Sequence, residues 1–277
     1  MTWWSVEVWA PARHKERLGA WLVNRTGQAV EERDESTLVA FASGSEAAQH
    51  LVDDIGRETE GRVRTDPRPI ESVDWSLRWR DGLGVRRLNE LSIIPSWLPE
   101  ATTPGPYDVV LDPETAFGSG EHGSTRVALT LTARLLRKDD VVLDLGSGSG
   151  ILAIAAAKLG ASRAWGIELD QEAIAVAERN AARNQVDRRV AFLQGDAAAL
   201  APLLGPADLV LSNILRVENA RLLPVISRAL KPQSIGIFSG MEVAEAEEFR
   251  QTLDLRGFIV IEEAIDSAWW GVAARCP

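Results

Sequence analysis

One stretch constrains this chain more than any other: Val141-Val142-Leu143-Asp144-Leu145-Gly146-Ser147-Gly148-Ser149-Gly150. A short apolar run carries an acid near its end, and glycines then fall at alternate positions. An Ala/Leu-rich segment, Ile151 to Leu159, follows at once. The pattern reads as strand, tight turn and helix. Glycines let backbone approach a ligand closely, and a helix start offers free N–H groups. That is a nucleotide-type cradle in a parallel α/β sheet. The alternative is a plain strand–helix turn that holds nothing.

Charge narrows the ligand. A dinucleotide fingerprint is G-x-G-x-x-G, and the third glycine position here is Ile151. Asp144 sits beside the turn, where a carboxylate opposes a pyrophosphate but suits a cationic ligand. Glu168 ends the next apolar run, Ala164-Trp165-Gly166-Ile167, and an acid at that strand tip can grip ribose hydroxyls. A ribose and a sulfonium without phosphate describe S-adenosyl-L-methionine.

The elements around the cradle fall into two groups. Residues 1–66 read as strand (Thr2–Trp9), helix (Ala12–Asn24), strands (Gln28–Arg33, Thr37–Phe41), helix (Ser45–Thr59) and strand (Arg62–Thr65). That βαββαβ order is the ferredoxin-like plan. Pro67 and Pro69 break the pattern, and residues 67–106 read as a linker region holding an aromatic stretch, Asp74–Arg80, and an extended one, Leu91–Trp97. Most of the ten tryptophans lie at or before Trp97. They pack the small domain and its junction, or form a partner surface. Residues 107–277 alternate strand and helix, then close with two strands, 257–265 and 267–274. The expected fold class is α/β, a seven-stranded Rossmann-like sheet with an antiparallel edge after a small α+β domain.

Three further constellations bear chemistry. From Gly118 to Ser124 the chain nearly matches a phosphate loop, but Ser124 stands where lysine belongs and Glu121 adds a negative charge. That argues against a nucleoside triphosphatase and for a lid over a small ligand. There Thr125 offers a hydroxyl to the ligand or caps the helix, and His122 is a general base or a structural residue. Asp196, after the third strand of the large domain, accepts an exocyclic amine or caps a helix over 197–204. Asn213, at the end of the fourth, brings an amide oxygen to the crevice, where it can accept the protons of an amine and aim its lone pair; a plain turn role is the alternative.

A net charge of −10 argues against a large nucleic-acid footprint and suits a basic protein partner, or serves solubility alone. The one cysteine, Cys276, cannot form an internal disulfide, and a reducing cytoplasm is the expected home. Neither a signal segment nor a membrane span is expected, and a monomer is the default.

In order and spacing, the motifs AFGSGEHGST, VLDLGSGSGILAIAAAKLGA, GIELD, SNIL and IFSG make the chain resemble the ribosomal protein methyltransferase family called PrmA. DW and a later IPSW fit too. The resemblance implies trimethylation of amines, lysine side chains and N-terminus, on the large-subunit ribosomal protein eleven, with the small domain recognising that protein. It implies S-adenosyl-L-methionine as cofactor, with the family's cofactor positions falling on Thr125, Gly146, Glu168 and Asn213. With Phe117, Asp144, Gly148 and Asp196 these make the expected cofactor site, and Asn213 is the expected catalytic residue, orienting the amine. The family pattern FGTGxHPTT differs at Ser119, Gly123 and Ser124; Gly123 in place of proline implies a looser lid. Arg216, following SNIL, is expected near the acceptor mouth. Two other readings remain: the same chemistry on another lysine or small amine, and a non-catalytic adaptor.

Overall fold

The computed structural model describes residues 3–26, 30–34, 36–69, 83–114 and 116–277. The aromatic stretch Asp74–Arg80, and residues 28 and 29 of the expected second strand, lie outside them. The chain divides into two compact units, Met1–Gly82 and Leu83–Pro277.

The first unit runs β1 (Trp4–Trp9), α1 (Ala12–Thr26), β2 (Glu31–Glu32), β3 (Thr37–Ala42), α2 (Ser45–Glu58) and β4 (Arg64–Pro69). Its sheet has the order β2-β3-β1-β4 with antiparallel neighbours, compatible with the ferredoxin-like plan. Val6 and Val8 alternate inward from β1 and meet Leu18 and Leu22 of α1 and Leu51 and Ile55 of α2. Pro67 and Pro69 do not end β4, contrary to expectation. β4 is an edge strand with β1 as its neighbour, and an edge tolerates residues that lack an N–H.

The second unit begins with β5 (Arg86–Leu88), β6 (Leu91–Pro95) and β7 (Asp108–Leu111), which form a small sheet of their own. The described part of the expected linker is thus largely regular structure. The strands are short, so their pattern is weak in the sequence.

Then come α3 (Gly123–Leu135), β8 (Val141–Leu145), α4 (Ile151–Leu159), β9 (Arg163–Glu168), α5 (Gln171–Arg183), β10 (Val190–Gln194), α6 (Ala197–Leu204), β11 (Ala207–Asn213), α7 (Arg216–Ala229), β12 (Leu230–Glu242), α8 (Ala246–Leu255), β13 (Ile259–Asp266) and β14 (Trp269–Arg275). The seven-stranded order is β10-β9-β8-β11-β12-β14-β13, with β14 antiparallel to both neighbours. Both faces are covered, so the central strands are mostly apolar, with Asp144 the buried exception in β8. Val142, Leu209 and Leu211 pack one way, against α3, α4 and α5. Leu143, Leu145 and Val210 pack the other way, against α7 and α8. Ile151 to Ala157 of α4 are all buried, and the alanines let that helix lie close to the sheet. Among the described residues, no helix is long and apolar enough to cross a membrane.

Candidate active site

Strand order reverses between β8 and β11, and the crevice beyond their carboxyl ends is where an open parallel sheet binds ligands. The glycine turn after β8 forms one wall. Gly146, Gly148 and Gly150 have φ of 72°, 50° and 81°, the left-handed region that disfavours other residues. A Cβ on Gly148 would lie 2.5 Å from the Phe117 carbonyl oxygen, so the preceding loop and the turn touch through backbone. Ser149 fastens them: its N–H donates to the Phe117 carbonyl at 2.9 Å and its hydroxyl to that of Gly118 at 2.6 Å.

Asn180 and Asn184 serve this site without any local signal of it. They sit in α5 like polar surface residues, yet both are buried. Asn180 Nδ2 donates to the carbonyls of Asp112 and Ser149, and Asn184 exchanges two hydrogen bonds with the Val110 backbone. Together they lash β7 and the following loop to the cradle.

Each carboxylate is held differently. Glu168 accepts from the N–H groups of Gly148 at 2.9 Å and Leu169 at 2.8 Å, bridging the glycine turn and the tip of β9. Asp196 caps α6 by accepting from the Ala198 N–H, and it also lines the cleft. Asp144 is fully buried beneath the turn; one oxygen accepts from Ala153 N–H and the other has no partner among the described residues. Burial pushes its pKa up to about 7, and the nearby Glu168 charge adds to the rise.

Asn213 closes β11, the strand beside β8. Its Nδ2 donates to Thr125 Oγ1 at 3.3 Å, and its buried Oδ1 has no partner among the described residues. Thr125 is fully buried behind that amide, so it holds Asn213 and does not line the cleft. His122 Nδ1 lies 2.7 Å from Ser124 Oγ. Burial, then the Arg126 charge, lowers the His122 pKa below its ordinary value and favours the neutral ring.

The cleft has a volume of about 630 Å³. Phe117, Gly146, Gly148, Glu168, Asp196 and Asn213 line it; Asp144 and Thr125 support it from behind. Arg216 follows Leu215, which lines the cleft, and its guanidinium is held by Glu245 at 3.2 Å and Glu248 at 2.6 Å. At Gly123 a Cβ would be 2.5 Å from the Trp269 indole.

The comparisons with known proteins agree with this geometry. The family model described as "Ribosomal protein L11 methyltransferase (PrmA)" matches residues 7–276. A ribosomal protein L11 methyltransferase of Desulfitobacterium hafniense is 37% identical over 209 residues, covering 74% of this chain; the chain spans 65% of that relative's length. One of Thermus thermophilus is 38% identical, over 72% of this chain and 76% of its own. The crystal structure of the ribosomal protein L11 methylase of Lactobacillus delbrueckii subsp. bulgaricus superposes with a TM-score of 0.61 at 32% identity, over 69% of this chain and 98% of that one. With the glycine turn, Glu168 and Asn213 at the switch point and a match along nearly the whole chain, this protein belongs to the ribosomal protein L11 methyltransferase (PrmA) family.

Proposed function

We propose that this protein is an S-adenosyl-L-methionine-dependent N-methyltransferase that modifies lysine side chains and the N-terminal amine of ribosomal protein L11. The observation that carries the reading is the partnerless Asn213 Oδ1, buried beside a glycine cradle. A buried acceptor without a donor is costly, and an amine in the cleft would satisfy it.

The residues present fit the cofactor. The volume of about 630 Å³ suits a ligand of its size. Glu168 at the tip of β9 can take the ribose hydroxyls, Asp196 can accept the adenine amine with the oxygen not used for capping, and Gly146 and Gly148 allow close backbone approach. Asp144 and Glu168 beside the cradle oppose a pyrophosphate and favour a cation.

When bound, the cofactor supplies an activated methyl carbon, which bonds to the amine nitrogen as its bond to sulfur breaks and sulfur keeps the electron pair. Attack needs a neutral amine. A lysine of pKa about 10.4 costs roughly 4–5 kcal/mol to deprotonate at neutral pH, and the apolar walls of the cleft lower that cost. Asn213 then aims the lone pair by accepting a remaining N–H, while Thr125 fixes the amide. The net charge of −10 suits a basic ribosomal protein as partner. A monomer acting in the cytoplasm completes the reading.

Radiolabelled methyl transfer to ribosomal subunits from a strain lacking this protein tests it. Label in ribosomal protein L11 supports the assignment. Label only elsewhere gives another acceptor, and cofactor binding without label leaves an adaptor.

A further inference from the structure

Three rings line the cleft together: Phe117 and His122 from the loop before α3, and Trp269 from the start of β14. The His122 and Trp269 centroids are 4.2 Å apart, with planes tilted by 54°. Phe117 meets His122 edge-on at 5.4 Å and 68°. Rings inclined in this way make a corner, not a slab.

Two devices keep Trp269 in that corner. The first is Gly123, whose φ is not left-handed, so its backbone would accept any residue. What glycine supplies there is room: a Cβ would lie 2.5 Å from indole Cδ1 and 3.1 Å from Cγ. The second is Arg126, one turn into α3. Its guanidinium grips both oxygens of Asp266, at 2.6 and 2.9 Å, and also donates to the Glu121 carbonyl. One side chain thereby ties the turn that carries Trp269 to the loop that carries His122.

We propose that Trp269, with Phe117 and His122, is the specificity-determining wall for the acceptor: an aromatic corner that seats the ammonium head of the amine and favours heads already bearing methyl groups. The inference rests on the methyl-transfer reading and deepens it. A bare ammonium is strongly hydrated and keeps three N–H donors, which suits Asn213 Oδ1. Each methyl group removes a donor and adds apolar cationic surface, which aromatic faces attract. The hold of Asn213 weakens as methylation proceeds, and that of the rings grows. Burial, which lowers the His122 pKa, works in the same direction, since a charged imidazole would repel the cation.

The test uses the full chain loaded with S-adenosylhomocysteine and titrated by calorimetry with lysine and with Nε-trimethyllysine. The wild type is expected to bind trimethyllysine about tenfold more tightly than lysine. Trp269→Phe should keep most of that preference. Trp269→Leu, which keeps apolar bulk without a π face, and Gly123→Ala, which displaces the indole from outside the cleft, should lose it. Affinity for S-adenosylhomocysteine and the Tm should hold in the leucine variant. Equal binding of the two amino acids by the wild type, or an undiminished preference in Trp269→Leu, overturns the inference. Absence of any S-adenosylhomocysteine binding is a different failure, which removes the methyl-transfer reading and this one with it.

Discussion

The Asn213 amide donates to Thr125 Oγ1 at 3.3 Å, and its buried oxygen meets no donor among the described residues. Asn213→Ala removes that acceptor. It should slow single-turnover methyl transfer by about a hundredfold, with donor affinity changed by less than about threefold. Thr125→Val, which frees the amide to rotate, should cost about tenfold. Full turnover by Asn213→Ala would remove the assigned role.

Glu168 joins two walls of the cleft through the N–H groups of Gly148 and Leu169. Such charge-assisted bonds are stronger than neutral ones. Glu168→Ala should weaken donor binding by about 10- to 100-fold in calorimetry, and Glu168→Gln by less, since one oxygen remains. Unchanged donor affinity in Glu168→Ala would contradict the placement of the ribose.

Asp144 gives the fold a pH dependence. Its carboxyl is raised from 3.8 to about 7 in the native state by burial. Below pH 3.8 both folded and unfolded chains hold the proton. As pH rises towards 7 the unfolded chain ionises first, so stability falls by roughly 4 kcal/mol and then levels off. Asp144→Asn should therefore be more stable than wild type at about pH 8 and similar at about pH 4 in urea titrations. A bound sulfonium favours the carboxylate, so wild-type donor affinity should rise between about pH 6 and 8, more than in the asparagine variant. Parallel stability profiles for the two proteins would refute this.

Gly146 and Gly148 share a left-handed φ but differ in what surrounds them. A Cβ on Gly146 meets the Ile214 methyl at 2.7 Å, which a side-chain shift can relieve; one on Gly148 meets the Phe117 carbonyl, which is backbone. Gly148→Ala should lower stability by about 2–3 kcal/mol, and Gly146→Ala by about 1 kcal/mol. Thermal melts would read the order, and the reverse order would count against the close loop–turn contact.

What the sequence disclosed follows from local physics. The run from Val141 to Gly150 announces itself, because an apolar strand and alternating glycines are both local signals. Glu168 and Asn213 were legible as the polar residues that end apolar runs on one edge of the sheet. Trp269 was not, because its place depends on β14 entering between β12 and β13. Asn180 and Asn184 were hidden inside a helical period, and their partners lie across the fold in β7 and its loop. The partners of Arg216 were hidden for the same reason: its glutamates at 245 and 248 are distant in sequence.

The insertion of β14 has a consequence for the order of assembly. Without that strand β12 and β13 share no ladder, and the cleft lacks its indole. The glycine cradle, built on β8 and its own helix, can therefore assemble before β14 seats, and the wall that Trp269 supplies is the later part of the cleft to form.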